Sequence, residues 1–335
     1  MKRRTFLAGL TGLAAAGPGP DPGALAQGGS QGAADAYPSK PVTIIVPFAA
    51  GGTVDVLGRM VANHLQKKWN QPFVVENIGG AGSIIGVTKL ARARPDGTTI
   101  GLASTSALAI NPTLFGDKLT YNVGRDLAPI TQISVVPNVL VVNPDKVKAR
   151  SVADLITHLK ANPGAVPYGS SGVGTSQHLA GELFQQLTGT RMNHVAYKGS
   201  SQMVPDLLGG QIDLAFDNVP LLLPHVRTGK LVALATATRE RAPFDPTLPA
   251  VAETVPGFEA TAWHGVLAPA GTPAPILDRL AAEIRAYMQE PETVQKMAEL
   301  GATAASTAPD EFRGYIAAEG ARWKQVIEAA NIKPE

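Results

Sequence analysis

The apolar positions change period within the first part of the chain. Residues 42–47, VTIIVP, form a short, mostly β-branched apolar run and read as a buried strand. Val56, Leu57, Met60, Val61 and Leu65 then recur at helical spacing, which predicts a helix. Phe48, Ala49, Ala50, Gly51 and Gly52 lie between the two, with Thr53 or Asp55 placed to cap the helix. The change of period repeats. Strand 73–76 leads through Gly79-Gly80-Ala81-Gly82-Ser83 into a helix over 84–92, and strand 98–103 leads into Ser104-Thr105-Ser106. Three βα units in succession argue for a parallel sheet.

Residues 127–142 read as two strands broken at Pro137-Asn138, after which the pattern restarts. Helix 151–161 opens on a box-like pair, Ser151 and Asp154. The loop Gly169-Ser170-Ser171-Gly172-Val173-Gly174-Thr175-Ser176 leads into a helix that turns Leu179, Leu183, Phe184 and Leu187 inward. Strand 192–195, helix 200–208, strand 212–216 ending in Asp217-Asn218, helix 220–226 and strand 231–236 follow. Strand-like sequence returns over 258–267, and helices 275–289, 291–300 and 309–330 finish the chain. The doubled pattern predicts an α/β protein of two facing lobes, 37–137 with 260–335 and 138–259. Each is expected to be a mainly parallel sheet flanked by helices. Two crossing strands would form the hinge of a ligand trap.

Composition and the N-terminus narrow the classes. Lys2-Arg3-Arg4 precedes an apolar stretch, 6–16, too short to span a bilayer, and Ala24-Leu25-Ala26 fits a cleavage site. The RRTFLAG run resembles a twin-arginine export signal, so 1–26 is expected to be a signal peptide that sends the protein to the periplasm. Gly/Ala/Gln-rich 27–36 reads as a tether. Net charge is near neutral, which favours neither nucleic acid nor an anionic membrane surface, and no stable membrane insertion is expected. The absence of cysteine excludes disulfides, thiol nucleophiles and cysteine metal sites.

Both glycine loops place helix N-termini where backbone N–H groups can meet an anion. The first lacks the lysine of a P-loop and the GxGxxG spacing. The second, 169–176, concentrates glycines and hydroxyls at a helix start, so N–H groups, hydroxyls and the helix dipole could converge on one carboxylate. Neither contains Arg or Lys. Candidate binding residues are Phe48, Ala49, Gly51, Gly52, Thr53, Asp55, Ser104, Ser170, Ser171, Gly172, Gly174, Thr175, His178, Asp217 and Asn218. Plainer readings stand beside several of them. Asp55 is spaced to pair with Arg59, Thr175 to cap a helix, Ser104 to cap 107–110, and Asp217-Asn218 to make a turn before Pro220. A Ser170–His178–Asp217 triad can be drawn, but GSSGV is not a G-x-S-x-G elbow, and no HExxH or acidic cluster implies a metal. No catalysis and no cofactor are expected.

Ordered blocks along nearly the whole chain resemble the periplasmic solute receptors of tripartite tricarboxylate transporters, the Bug or TctC-type family. They are YPSKPVTIIVPFAAGGTVDV at 37–56, VVENIGGAGSIIG at 74–86, YGSSGVGTSQHLAGELF at 168–184, YKGSS at 197–201, GGQIDLAFDN at 209–218 and FEATAWHGVLAPAGTPAPI at 258–276. The resemblance implies a type II periplasmic-binding-protein, Venus-flytrap fold without catalysis. It implies small carboxylates gripped by backbone amides of 48–55 and 170–175, partly through water. Ala49 and Ala50 stand where many members carry proline and alanine, and His264 follows Trp263 where other residues are common. The expected partners are a small carboxylate and transporter membrane subunits, the receptor acting as a monomer. A sensor subunit presenting its ligand to a signalling partner, and a secreted serine hydrolase using Ser170 or Ser171 with His178, are the alternatives.

Overall fold

The structure is a computed structural model and describes residues 37–334; the expected signal peptide and tether lie outside the described residues. The chain builds β1 (Val42–Val46), α1 (Thr53–Trp69), β2 (Phe73–Asn77), α2 (Ile84–Ala91) and β3 (Thr99–Ser104) in turn. A π-helical turn, Ser106–Ile110, then runs into short helices α3 (Asn111–Phe115) and α4 (Val123–Asp126). Only Pro137 separates β4 (Leu127–Val136) from β5 (Asn138–Val142). Next come α5 (Val152–Ala161), β6 (Pro167–Ser170), α6 (Ser176–Thr188), β7 (Asn193–Ala196), α7 (Ser200–Leu208), β8 (Leu214–Asn218), α8 (Val219–Arg227) and β9 (Val232–Thr236). The chain closes with β10 (Ala262–Pro269), α9 (Ala274–Gln289), α10 (Pro291–Glu299), β11 (Thr303–Ala304) and α11 (Pro309–Ala329).

Two sheets result, ordered β11-β4-β10-β3-β1-β2 and β7-β6-β8-β5-β9. β1 pairs parallel with β2 and β3, and β6 pairs parallel with β7 and β8. The sheets are mixed rather than mainly parallel. β10 lies antiparallel between β3 and β4, and β5 antiparallel between β8 and β9. The reason is the crossing: a chain that leaves one sheet and returns to it inserts its returning strand against the local direction. Local βα repetition reports the parallel pairs and is silent on these non-local ones.

The local causes are those of the sequence. Val54, Leu57, Val61 and Leu65 of α1 are buried on one face, and Asn70 ends the helix in the left-handed conformation. Ser151 caps α5, its hydroxyl accepting the Asp154 N–H at 3.1 Å. One apolar cluster packs α1 and α9 on the first sheet, and another fills one side of the second. A third runs from Ala103 and Leu267 through Trp263, Phe312 and Trp323 to Leu140 and Phe216, so the core is continuous across the hinge. Among the described residues, no helix is long and apolar enough to cross a membrane.

Candidate functional site

A cavity of about 390 Å³, its open mouth included, lies between the sheets at the C-terminal ends of β1, β3 and β8. Of the candidates, Phe48, Ala49, Gly52, Thr53, Ser104, Ser171 and Asn218 line it. Val54, Ser106, Ser176, Gln177, Ser200, Ala262 and His264 complete the lining. No lysine, arginine, aspartate or glutamate is among them. The donors come from helix starts instead. α1 enters through Gly52, Thr53 and Val54, α6 through Ser176 and Gln177, α7 through Ser200, and α8 through its cap Asn218. The caps of α1 and α7 make no side-chain cap bond, so first-turn N–H groups at these two starts are left for another acceptor, whereas at α8 the Val219 N–H donates to the Pro137 carbonyl at 3.1 Å and Pro220 has no N–H. The hydroxyls of Thr53, Ser104 and Ser171 are buried and have no protein hydrogen-bond partner.

The remaining candidates stand behind this wall and brace it. Asp55 spends both oxygens on the first loop. Oδ2 accepts the Gly51 N–H at 2.9 Å and Arg59 Nε at 3.0 Å, and Oδ1 accepts Asn77 Nδ2 at 2.9 Å. Burial pushes this carboxyl up, but the donors of Arg59, Gly51 and Asn77 outweigh it and hold the group below its ordinary value. Asn77 Nδ2 also reaches the Phe48 carbonyl, at 3.2 Å. Gly51 takes φ +82°, which lets the loop fold back onto Asp55.

The second loop is braced in the same way. Thr175 Oγ1 donates to the Gly172 carbonyl at 2.6 Å and caps α6 by accepting the His178 N–H. Ser170 Oγ lies 2.7 Å from His194 Nε2 and accepts the Gly172 N–H at 3.1 Å. His178 Nδ1 accepts the Gly174 N–H at 3.3 Å, and burial, with a smaller contribution from His194, lowers its pKa to about 3. The drawn triad is therefore not assembled: Ser170 meets His194, and Asp217 meets no histidine. Gly172 and Gly174 serve the approach of the lobes. A Cβ on Gly174 would lie 2.3 Å from Asn111 Oδ1, and one on Gly172 3.3 Å from the Gly82 nitrogen.

Asp217 is fully buried at the end of β8. Its Oδ1 accepts Gln177 Nε2 at 2.9 Å, Ser200 Oγ at 2.9 Å and the Asn218 N–H at 2.7 Å. These donors belong to the starts of α6, α7 and α8, so one carboxylate ties the three together. Asn218 Nδ2 donates to Asn138 Oδ1 at 2.7 Å, fixing the wall to the crossing strand β5.

Sequence reasoning overlooked Ser176, Gln177, Ser200, Ala262 and His264 as lining. For Ser200 a signal existed: it follows a glycine at a helix start, as Thr53 does. Ala262 and His264 arrive on β10 from far along the chain, and no local pattern marks them. Among the described residues, no group of three or more histidines and carboxylates could hold a metal ion.

Comparison with known proteins agrees with this architecture. Protein BugT of Bordetella pertussis is 41% identical over 302 residues, covering 90% of this chain and 92% of BugT. The solved structure described as R. palustris Rpa4515 with adipate is 35% identical, with a TM-score of 0.86, over 89% of this chain and all of that one. MatC (Rpa3494) from Rhodopseudomonas palustris with bound malate is 27% identical, with a TM-score of 0.82, over 87% of this chain and all of MatC. The solved structure described as periplasmic binding protein BugD is 31% identical, with a TM-score of 0.84, over 89% of this chain and all of that one. The profile of the TctC family, described as the tripartite tricarboxylate transporter family receptor, matches residues 57–332, and the chain belongs to that family.

Proposed function

We propose that this protein is an exported receptor that closes on a small carboxylate and delivers it to the membrane subunits of a tripartite tricarboxylate-type transporter. Lobe 1 is 37–137 with 260–335, and lobe 2 is 138–259. One observation carries the reading: a cavity without a charged side chain, walled by four helix starts and by three buried hydroxyls that have no protein partner. Such a wall suits an anion whose charge is met by oriented N–H dipoles. Each helix terminus is worth up to about 2 kcal/mol when partly buried. A hydrogen bond to a charged group nets roughly 1.5–3 kcal/mol. Together they reach the approximately −8 kcal/mol of micromolar binding after association costs. That one similar structure holds adipate and another malate supports the ligand class.

The twin arginine and the Ala24-Leu25-Ala26 site support export by the twin-arginine route with cleavage after Ala26. Intact mass of protein recovered from the periplasm is expected to begin at Gln27. Native mass spectrometry of the same sample is expected to find a co-purified small carboxylate, and calorimetry to give one site per chain. A bound species without a carboxylate, or retention in the cytoplasm at full length, would overturn the respective part.

A further inference from the structure

We propose that Ser104 and His264 form a second acceptor-binding corner of the cavity, and that it selects diacids over monoacids. This rests on the carboxylate reading and adds to it a specificity residue that the family pattern does not supply. The corner is built across three strands. His264 on β10 pairs with Ser104 on β3 and with Ser134 on β4. Directly opposed residues of an antiparallel pair share a face, so Ser104, His264 and Ser134 form one polar row on the sheet. All three are buried, and Ser104 and His264 line the cavity. Thr105 pins the row from one side, its hydroxyl accepting the Trp263 N–H at 2.8 Å.

The protonation pattern follows from the partners. Ser134 Oγ lies 2.9 Å from His264 Nδ1 and has no other hydrogen-bond partner among the described residues. A buried serine hydroxyl needs an acceptor, and Nδ1 is the one it has, so Nδ1 accepts and Nε2 carries the proton. Burial lowers the His264 pKa to about 4, which keeps the ring neutral near pH 7. His264 Nε2–H makes no hydrogen bond within the described residues, and the neighbouring Ser104 hydroxyl has no protein partner. Two neutral donors side by side match the two oxygens of a carboxylate. The helix starts hold the first carboxylate of the ligand, and this corner holds the second.

Calorimetry with two series of sodium salts tests the assignment: straight-chain diacids from malonate to suberate, and the monoacids of equal chain length. For the wild type, the best diacid is expected to bind at least tenfold more tightly than its length-matched monoacid. His264→Phe is expected to bring that ratio below threefold by weakening the diacid alone. His264→Gln, which keeps an N–H donor, is expected to restore part of it. Ser104→Ala is expected to lower the ratio in a variant that leaves the histidine in place, and Ser134→Ala to lower it by releasing the tautomer. Equal binding of the two series by the wild type, or an unchanged ratio in His264→Phe and Ser104→Ala, would overturn the corner while leaving the carboxylate reading standing. Failure of both series to bind would overturn the two together.

Discussion

Asp55 and Asp217 are both buried carboxylates, and their surroundings drive them in opposite directions. At Asp55 the donors of Arg59, Gly51 and Asn77 outweigh burial and the folded-state pKa falls. Its contribution to stability is therefore present above the unfolded value near 3.8 and is lost as pH falls through the lowered folded value. At Asp217 burial dominates the donors of Gln177, Ser200 and Asn218, and the pKa rises. A raised acid favours the folded state below its unfolded value, and that contribution is lost as pH rises through the folded one. Asp217→Asn removes this titration. Thermal melts at pH 4 and pH 7 are expected to show the variant gaining on the wild type at the higher pH; a difference independent of pH would mean that Asp217 is not raised. Hydroxyls divide in the same way. Ser171→Ala, which removes a hydroxyl with no protein partner, is expected to weaken carboxylate binding by about tenfold, roughly 1.4 kcal/mol. Thr175→Ala removes a helix cap and is expected to cost about 1 kcal/mol of stability, measured in urea, with a smaller effect on affinity. Reversed magnitudes in calorimetry would mean that Thr175, not Ser171, meets the ligand.

At the scale of elements, glycine sets how close the lobes come. Gly80, Ala81, Gly82 and Ser83 all have positive φ, and a Cβ on Gly82 would lie 2.0 Å from the Val173 carbonyl oxygen on the second lobe. Gly199 and Ala49 meet across the same gap. Gly82→Ala is expected to cost the free protein about 1 kcal/mol from its left-handed backbone, a melting shift of about 2–4 °C. It is expected to weaken binding at least tenfold, because the lobes can no longer meet; affinity within twofold of wild type would rule that out. These loops were legible in the sequence because a glycine run between a β-branched strand and an amphipathic helix has few other uses. The direction of each side chain was not. Ser170 and Ser171 are adjacent, yet one is spent on His194 and Gly172 while the other lines the cavity. Asp55, Thr175 and His178 sit at helix starts as read; Asp55 takes the Arg59 pairing its spacing offered, with Asn77 beside it, and otherwise their partners are the loops' own N–H and carbonyl groups, which pattern alone does not distinguish from a ligand. His264 was legible as a residue and not as a wall, since its place depends on β10 inserting between β3 and β4.

At the scale of the molecule, the same hydroxyls that suit a ligand make an empty closed cleft costly. Thr53, Ser104 and Ser171 are shut away from bulk water with no protein partner. Each such group costs about 1–3 kcal/mol when its hydrogen bond is not replaced. Across the cleft mouth the backbone approaches closely at Gly82, Gly172 and Gly199. The apolar cluster that joins the lobes runs past the crossing strands, around Trp263 and Phe258. An anion that supplies bonds to these hydroxyls only when the lobes meet is expected to favour the closed form over the open one. A ligand that gains about 5.5 kcal/mol more in the closed form than in the open one turns a population from mostly open to mostly closed. Solution X-ray scattering is therefore expected to give a smaller radius of gyration with saturating carboxylate than without it. Gly82→Ala is expected to keep the larger value in both conditions. A wild-type radius that is unchanged by ligand, and equal to that calculated for the closed arrangement, would mean that the lobes are held shut by the protein alone and that the buried hydroxyls are satisfied by water.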